Sequence, residues 1–206
     1  MSLTTQRLGQ IRLELEEQLR RLEEQQAALQ KIIISLKTPA HRKSNGTVEK
    51  LARAVARGDS ESVKKQLQLG ADPNQRDKAG DTPLLRAAYR KAGFRIAALL
   101  LKAGADPNLG DQYGNTPLMV CADDENLDLV RELVSHGANV NAKNKDGDTP
   151  LTNAACWGGR KVVSFLLKHG ADPRLPDGAG IFAADLARQQ GHGDIADLLS
   201  RKSRRS

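Results

Sequence analysis

The pentapeptide GDTPL occupies residues 80–84 and returns at 147–151, with GNTPL between them at 114–118. A second phrase keeps step with it: LGADPN at 69–74, AGADPN at 103–108, HGANVN at 136–141 and HGADPR at 169–174. Gly70, Gly104, Gly137 and Gly170 are spaced by 34, 33 and 33 residues. Two phrases recurring in phase constrain the fold more than any average property of the chain. A period of this length marks a supersecondary unit that cannot bury its apolar face alone and must stack on copies of itself.

Each unit reads as two short helices. Thr82, Thr116 and Thr149 precede prolines. A threonine hydroxyl can accept a bond from an orphan N–H at a helix start, and proline loses nothing at the first helical position. Downstream, Leu127, Val130, Leu133 and Val134 fall three or four residues apart, the spacing of a half-buried helix. The periodic glycine after each second helix suits a left-handed C-terminal position. Aromatics make up 3% of the chain, so the core must be aliphatic, and alanine pairs at 87–88 and 154–155 let helices approach closely.

The pattern resembles the ankyrin repeat, with its 33-residue period and T-P-L-H-x-A signature. The resemblance implies an all-α solenoid of helix-turn-helix repeats with hairpin-like turns over residues 48–200. Full repeats begin near Asp77, Asp111 and Asn144, between an N-terminal unit, Val48 to Asn74, and a C-terminal unit, Gly178 to Leu199. Leu85, Met119 and Thr152 stand where the family carries histidine, so that residue's local bonds are expected to be lost. One extra residue near Arg90 to Gly93 is expected to widen a bend, and Glu125 replaces a usual glycine.

Residues 1–38 carry a different period. Leu8, Leu15, Leu22, Leu29 and Leu36 step by seven, and Leu19 and Ile33 share the other seam position with Arg12 and Gln26. Such a seam makes a coiled coil of about 42 Å, and residues 5–37 are expected to form a homodimer, to pair with another chain, or to fold back as a cap. Lys37-Thr38-Pro39 ends it, residues 39–47 read as a linker, and 201–206 as a basic tail. The net charge of +7 sits at the ends: residues 1–46 hold 8 Lys/Arg against 5 Asp/Glu, and residues 201–206 four basic residues. The balanced middle argues against a large nucleic-acid footprint, leaving a nucleic-acid regulator with basic termini as the alternative function.

No enzyme constellation is present, and no catalytic residue, cofactor or metal is expected. His136 and His169 recur one repeat apart without a partnering cysteine or carboxylate. His192 reads as structural, Cys121 as a small core residue and Cys156 as nearer the surface. GGRK at 158–161 is too short for a phosphate loop. With two cysteines, no apolar run of membrane length and no leader pattern, the expected location is cytoplasmic or nuclear.

In the family, inner-helix ends and finger-like turns line a partner-binding surface. The resemblance maps Tyr89, Tyr113 and Trp157 onto it, residue types enriched at binding hot spots. Arg90, Asn115, Asp123, Asp124, Lys145, Asp146 and Asp148 lie around them, and the acidic run ending at Glu125 suits a basic peptide. Ser44 and Ser203 follow basic residues as candidate kinase sites, and Asn141 resembles ankyrin asparagines that are hydroxylated. The expected function is non-catalytic: an adaptor or regulator holding a protein partner.

Overall fold

A computed structural model describes residues 45–90, 93–123 and 126–203, together with Gln18 and Gln26. The chain divides into two units, residues 1–43 and 44–206. The leucine seam from Leu8 to Leu36 lies outside the described residues.

The described residues form ten helices: α1 (Asn45–Arg57), α2 (Ser60–Gln68), α3 (Pro83–Ala88), α4 (Phe94–Lys102), α5 (Pro117–Asp123), α6 (Leu127–Ser135), α7 (Pro150–Cys156), α8 (Arg160–Lys168), α9 (Ala183–Gln189) and α10 (Gly193–Ser203). Helices α1, α3, α5, α7 and α9 pack on one another in chain order as an inner row, and α2, α4, α6 and α8 as an outer row. They contain no strand, and one isolated antiparallel bridge joins Pro176 to Phe182. Helix α1 begins three residues ahead of the expected boundary at Val48, taking in the end of the expected linker. At the other end α10 runs to Ser203. Arg201 and Lys202 are good helix formers at the negative end of the helix dipole, so half of the expected tail is helical.

Local chemistry sets the helix starts as expected. Thr82, Thr116 and Thr149 accept bonds of 3.2, 3.4 and 3.1 Å from the N–H groups of Leu85, Met119 and Thr152. The bond loss expected at Thr152 is not found, because its hydroxyl oxygen accepts 2.7 Å from the Thr149 N–H and closes a capping box. Leu85 and Met119 are instead buried. Gly70, Gly104, Gly137 and Gly170 take φ of 84°, 91°, 88° and 89°, the left-handed conformation expected of them. The inner-to-outer turns close with Asp59→Ala54, Asn126→Cys121, Gly159→Ala154 and His192→Ala187 backbone bonds, whereas the repeat with the extra residue closes differently, from Gly93 to Arg90.

The core is one aliphatic layer between the rows. Leu84, Ala87 and Ala88, then Leu118, Cys121 and Ala122, then Leu151, Ala154 and Ala155 supply its inner side. Ile96, Leu100, Leu129, Leu133, Val162, Leu166, Ile195 and Leu199 supply the outer side. Burial of each such side chain contributes about 1.5–3 kcal/mol.

Side-chain amides then fasten each repeat to the next. Asn74 Nδ2 donates 3.1 Å to the Gly104 carbonyl while its Oδ1 accepts 2.7 Å from the Asp106 N–H. Asn108 does the same for Gly137 and Asn139, and Asn141 for Gly170 and Asp172. The fourth loop carries Arg174, which turns back onto Asp172 at 3.0 Å.

Asn74→Ala strands a carbonyl and an N–H of the following loop and is expected to lower stability by about 1–3 kcal/mol. Arg174→Asn exchanges an exposed ion pair within its own loop and should cost less than about 1 kcal/mol. Urea denaturation monitored by circular dichroism distinguishes the two.

Candidate protein-binding surface

Four loops project between the outer helix of one repeat and the inner helix of the next. Each is organised by one acidic or amide side chain. Asp77 Oδ1 accepts from the N–H groups of Ala79 and Asp81, Asp111 from Tyr113 and Asn115, Asn144 from Asp146 and Asp148, and Asp177 from Ala179 and Ile181. These Asx turns spend no helix or strand geometry and leave the fingertips outward.

The fingers are not evenly joined. The Lys145 N–H donates 2.9 Å to the Tyr113 carbonyl, tying the second finger to the third, and the Gly178 N–H donates 2.7 Å to the Asp146 carbonyl, tying the third to the fourth. Glycine allows this approach. A Cβ on Gly147 would stand 2.4 Å from the Gly178 nitrogen, and one on Gly114 3.2 Å from the Asn144 Cα. No backbone bond joins the first and second fingers, and Gly80 faces open space. Arg76 crosses this interval, donating to the Gly80 and Gly110 carbonyls.

At that interval lies a groove of about 580 Å³, lined by Ala56, Ala79, Asp81, Arg86, Tyr89, Arg90, Asp111, Gln112 and Tyr113. Tyr89, Tyr113 and Arg90 of the sequence-predicted set meet there. Trp157 is not among the lining residues. Tyr89 is 53% exposed, Tyr113 56% and Trp157 64%, so none is part of the core. The rest of the predicted set is largely engaged within the stack. Arg90 Nη1 donates 2.6 Å to the Ala56 carbonyl at the end of α1. Asn115 donates 3.0 Å to Asp111 Oδ2 and accepts 2.9 Å from Asn144 Nδ2. Asp148 accepts 3.3 Å from Asn144 Nδ2. Lys145 and Asp146 supply the backbone links between fingers. Asp123 ends α5, and Asp124 and Glu125 lie outside the described residues.

The other polar candidates have structural partners. The Nδ1 atoms of His136 and His169 lie 2.9 and 2.8 Å from the Glu132 and Phe165 carbonyl oxygens, closing the ends of α6 and α8. The His192 ring fills the space beside Gly158. Cys121 is buried, and Cys156 is half-buried. Asn141 is held in the amide ladder at both ends of its side chain.

Sequence reasoning missed Asp81, Arg86, Asp111 and Gln112 in the groove. Asp111 was visible only as the landmark that opens a repeat. Burial pushes its carboxyl up, but bonds from the Asn115 side chain and backbone, the Tyr113 backbone and the Tyr89 hydroxyl outweigh burial and hold it below the ordinary carboxylate value. Asp59 is held down by the Ser62 side chain and backbone, and Asp172 by the Arg174 guanidinium and backbone.

Capped helix pairs, glycine-ended outer helices, asparagine bridges and projecting fingers define a helical-repeat solenoid with a groove between its first two fingers. A family model of ankyrin repeats (3 copies) matches residues 51–144, 84–177 and 125–204. The chain belongs to the ankyrin-repeat family. Ankyrin repeats are generally protein–protein interaction modules, typically without enzymatic activity. Comparison with curated proteins found no match. No described helix is long and apolar enough to cross a membrane.

A carboxyl lowered on folding contributes stability above its unfolded value, near ~3.9, and that contribution is lost as pH falls through the folded value. Asp111→Asn removes this titration while keeping the turn, since Asn144 forms the same turn one repeat on. Stability measured by urea denaturation from neutral pH down to ~2 should therefore fall less steeply in the variant. Asp59 and Asp172, also held below the ordinary carboxylate value, keep their part of the acid dependence.

Proposed function

We propose that the protein is a non-catalytic adaptor or regulator whose ankyrin stack holds one partner protein across its fingers and inner-helix ends. The observation that carries this reading is the exposure of both tyrosines and the only tryptophan, 53–64%, in a chain whose core is built from Leu, Val, Ile and Ala. Large amphipathic rings left outside a core act as binding anchors. Tyr113, Tyr89 and Trp157 are the proposed anchors. A stack ordered on folding presents them without a further ordering cost at binding.

Residues 1–38 act in this reading as a separate arm that dimerises through Leu8, Leu15, Leu19, Leu22, Leu29, Ile33 and Leu36 and so presents two stacks. The proposed setting is the cytoplasm or nucleus.

Two experiments check these statements. Affinity capture from the native cell compares the full chain with a Tyr113→Ala, Trp157→Ala variant that stays folded by circular dichroism. One partner should be lost selectively, and an unchanged catch removes the aromatic surface from the function. In analytical ultracentrifugation the full chain should sediment as a dimer and Leu22→Glu, Leu29→Glu as a monomer with the same ankyrin unfolding transition. A monomeric parent chain sinks the pairing.

A further inference from the structure

The open interval between the first two fingers contains a carboxylate with no cationic partner among the described residues. Asp111 Oδ1 accepts 2.8 and 2.9 Å bonds from the Tyr113 and Asn115 N–H groups, and Oδ2 accepts 3.0 Å from Asn115 Nδ2. The remaining donor, the Tyr89 hydroxyl, stands 3.4 Å from Oδ2, beyond the usual O–H···O range. A carboxylate has about four acceptor sites, so one site on Oδ2 is filled only at long range, and Asp111 lines the groove.

The cations that line the same groove are already engaged. Arg86 lies 2.9 Å from Asp77 Oδ2 and 3.2 Å from Asp81 Oδ2. Arg90 is held on the Ala56 carbonyl. Arg76 is held on the Gly80 and Gly110 carbonyls, so these guanidiniums equal Asp77, Asp81 and Asp111 in number, but none of them forms an ion pair with Asp111. Tyr89 and Tyr113 line the same groove. A carboxylate in a groove that also holds aromatic rings attracts a cation by charge, and the rings add their quadrupole. A planar guanidinium satisfies both, because it can stack on a ring while its edge donates to the carboxylate; a lysine ammonium offers no plane to stack. Anionic ligands would meet the Asp81 and Asp111 carboxylates.

We propose that this groove receives one arginine side chain of the partner protein, its guanidinium donating to Asp111 Oδ2 and stacking on a ring of Tyr89 or Tyr113. The inference rests on the protein-binding reading above and gives that partner a required residue. In the bound state the guanidinium takes the acceptor site that the Tyr89 hydroxyl fills at long range.

The test uses 15N-labelled full-length protein and two blocked tripeptides, Ala-Arg-Ala and its citrulline counterpart. Citrulline keeps the shape and loses the charge. The arginine peptide should give saturable amide shifts, largest at Tyr89, Gln112 and Tyr113, in the millimolar range. The citrulline peptide should bind at least about tenfold more weakly, the loss of ~1.4 kcal/mol. Asp111→Asn should weaken the arginine peptide by a similar factor with an unchanged spectrum elsewhere. Its fold is protected by precedent within the chain, since Asn144 in the third finger accepts 3.0 and 2.8 Å from the Asp146 and Asp148 N–H groups in the same way.

Absence of saturable shifts, equal affinity for the citrulline peptide, or full affinity in Asp111→Asn would each overturn the proposal. So would matching shifts on adding inorganic phosphate alone. If the tripeptide fails while Tyr113→Ala, Trp157→Ala still loses a captured partner, the arginine site falls and the binding surface stands.

Discussion

No helix pair in the ankyrin unit completes its own core. Each inner helix is buried where it faces the inner helix or helices beside it, and alanines at 87, 88, 122, 154 and 155 bring those neighbours within reach. Burial is therefore a property of adjacent pairs, and stability propagates from one pair to the next. The asparagine amides add direction to this stacking. Each spans from its own loop to a carbonyl and an N–H of the following loop, so a repeat can be placed in only one register. Because the layer is thin and aliphatic, aromatic volume is not needed inside it. That releases the tyrosines and the tryptophan to the surface.

The same nearest-neighbour logic explains where the surface opens. Fingers two to four are drawn together by backbone bonds that require glycine at the points of approach, Gly114, Gly147 and Gly178. The first two fingers are joined by side chains, with Arg76 crossing between them and the Tyr89 hydroxyl reaching Asp111. A gap spanned by side chains can admit another side chain. One spanned by backbone bonds cannot do so without breaking the ladder of fingers.

Much of this architecture was legible in the sequence because it is local. A threonine before proline, a glycine after an amphipathic run and an alanine beside it act within a few residues, and their helix caps and left-handed turns lie where expected. The departures come from relations across repeats or from chemistry that substitutes for itself. Thr152 restores by its hydroxyl a capping bond that the absent histidine seemed to forfeit. Asn115 and Arg90 look like surface groups in sequence, yet they reach across to Asn144 and Ala56, more than two dozen residues away. Trp157 stands apart from the groove for a plain reason. It ends the inner helix Pro150–Cys156, two repeats beyond Tyr89, whereas the groove is lined by residues of the first two fingers and the helix ends beside them.

Arg174 has a consequence for the length of the array. A solenoid fastened by one repeated bond has no intrinsic end, and an asparagine at position 174 would offer an amide in waiting to any molecule presenting a fresh loop. Such head-to-tail contact does not close on itself and extends into fibres. Arg174 instead folds its guanidinium back onto Asp172 of its own loop, satisfying within the repeat the groups that would otherwise seek a successor. Repeats could be duplicated upstream of this position and inherit working bridges on both sides, whereas a loop packing after Arg174 finds no amide bridge there.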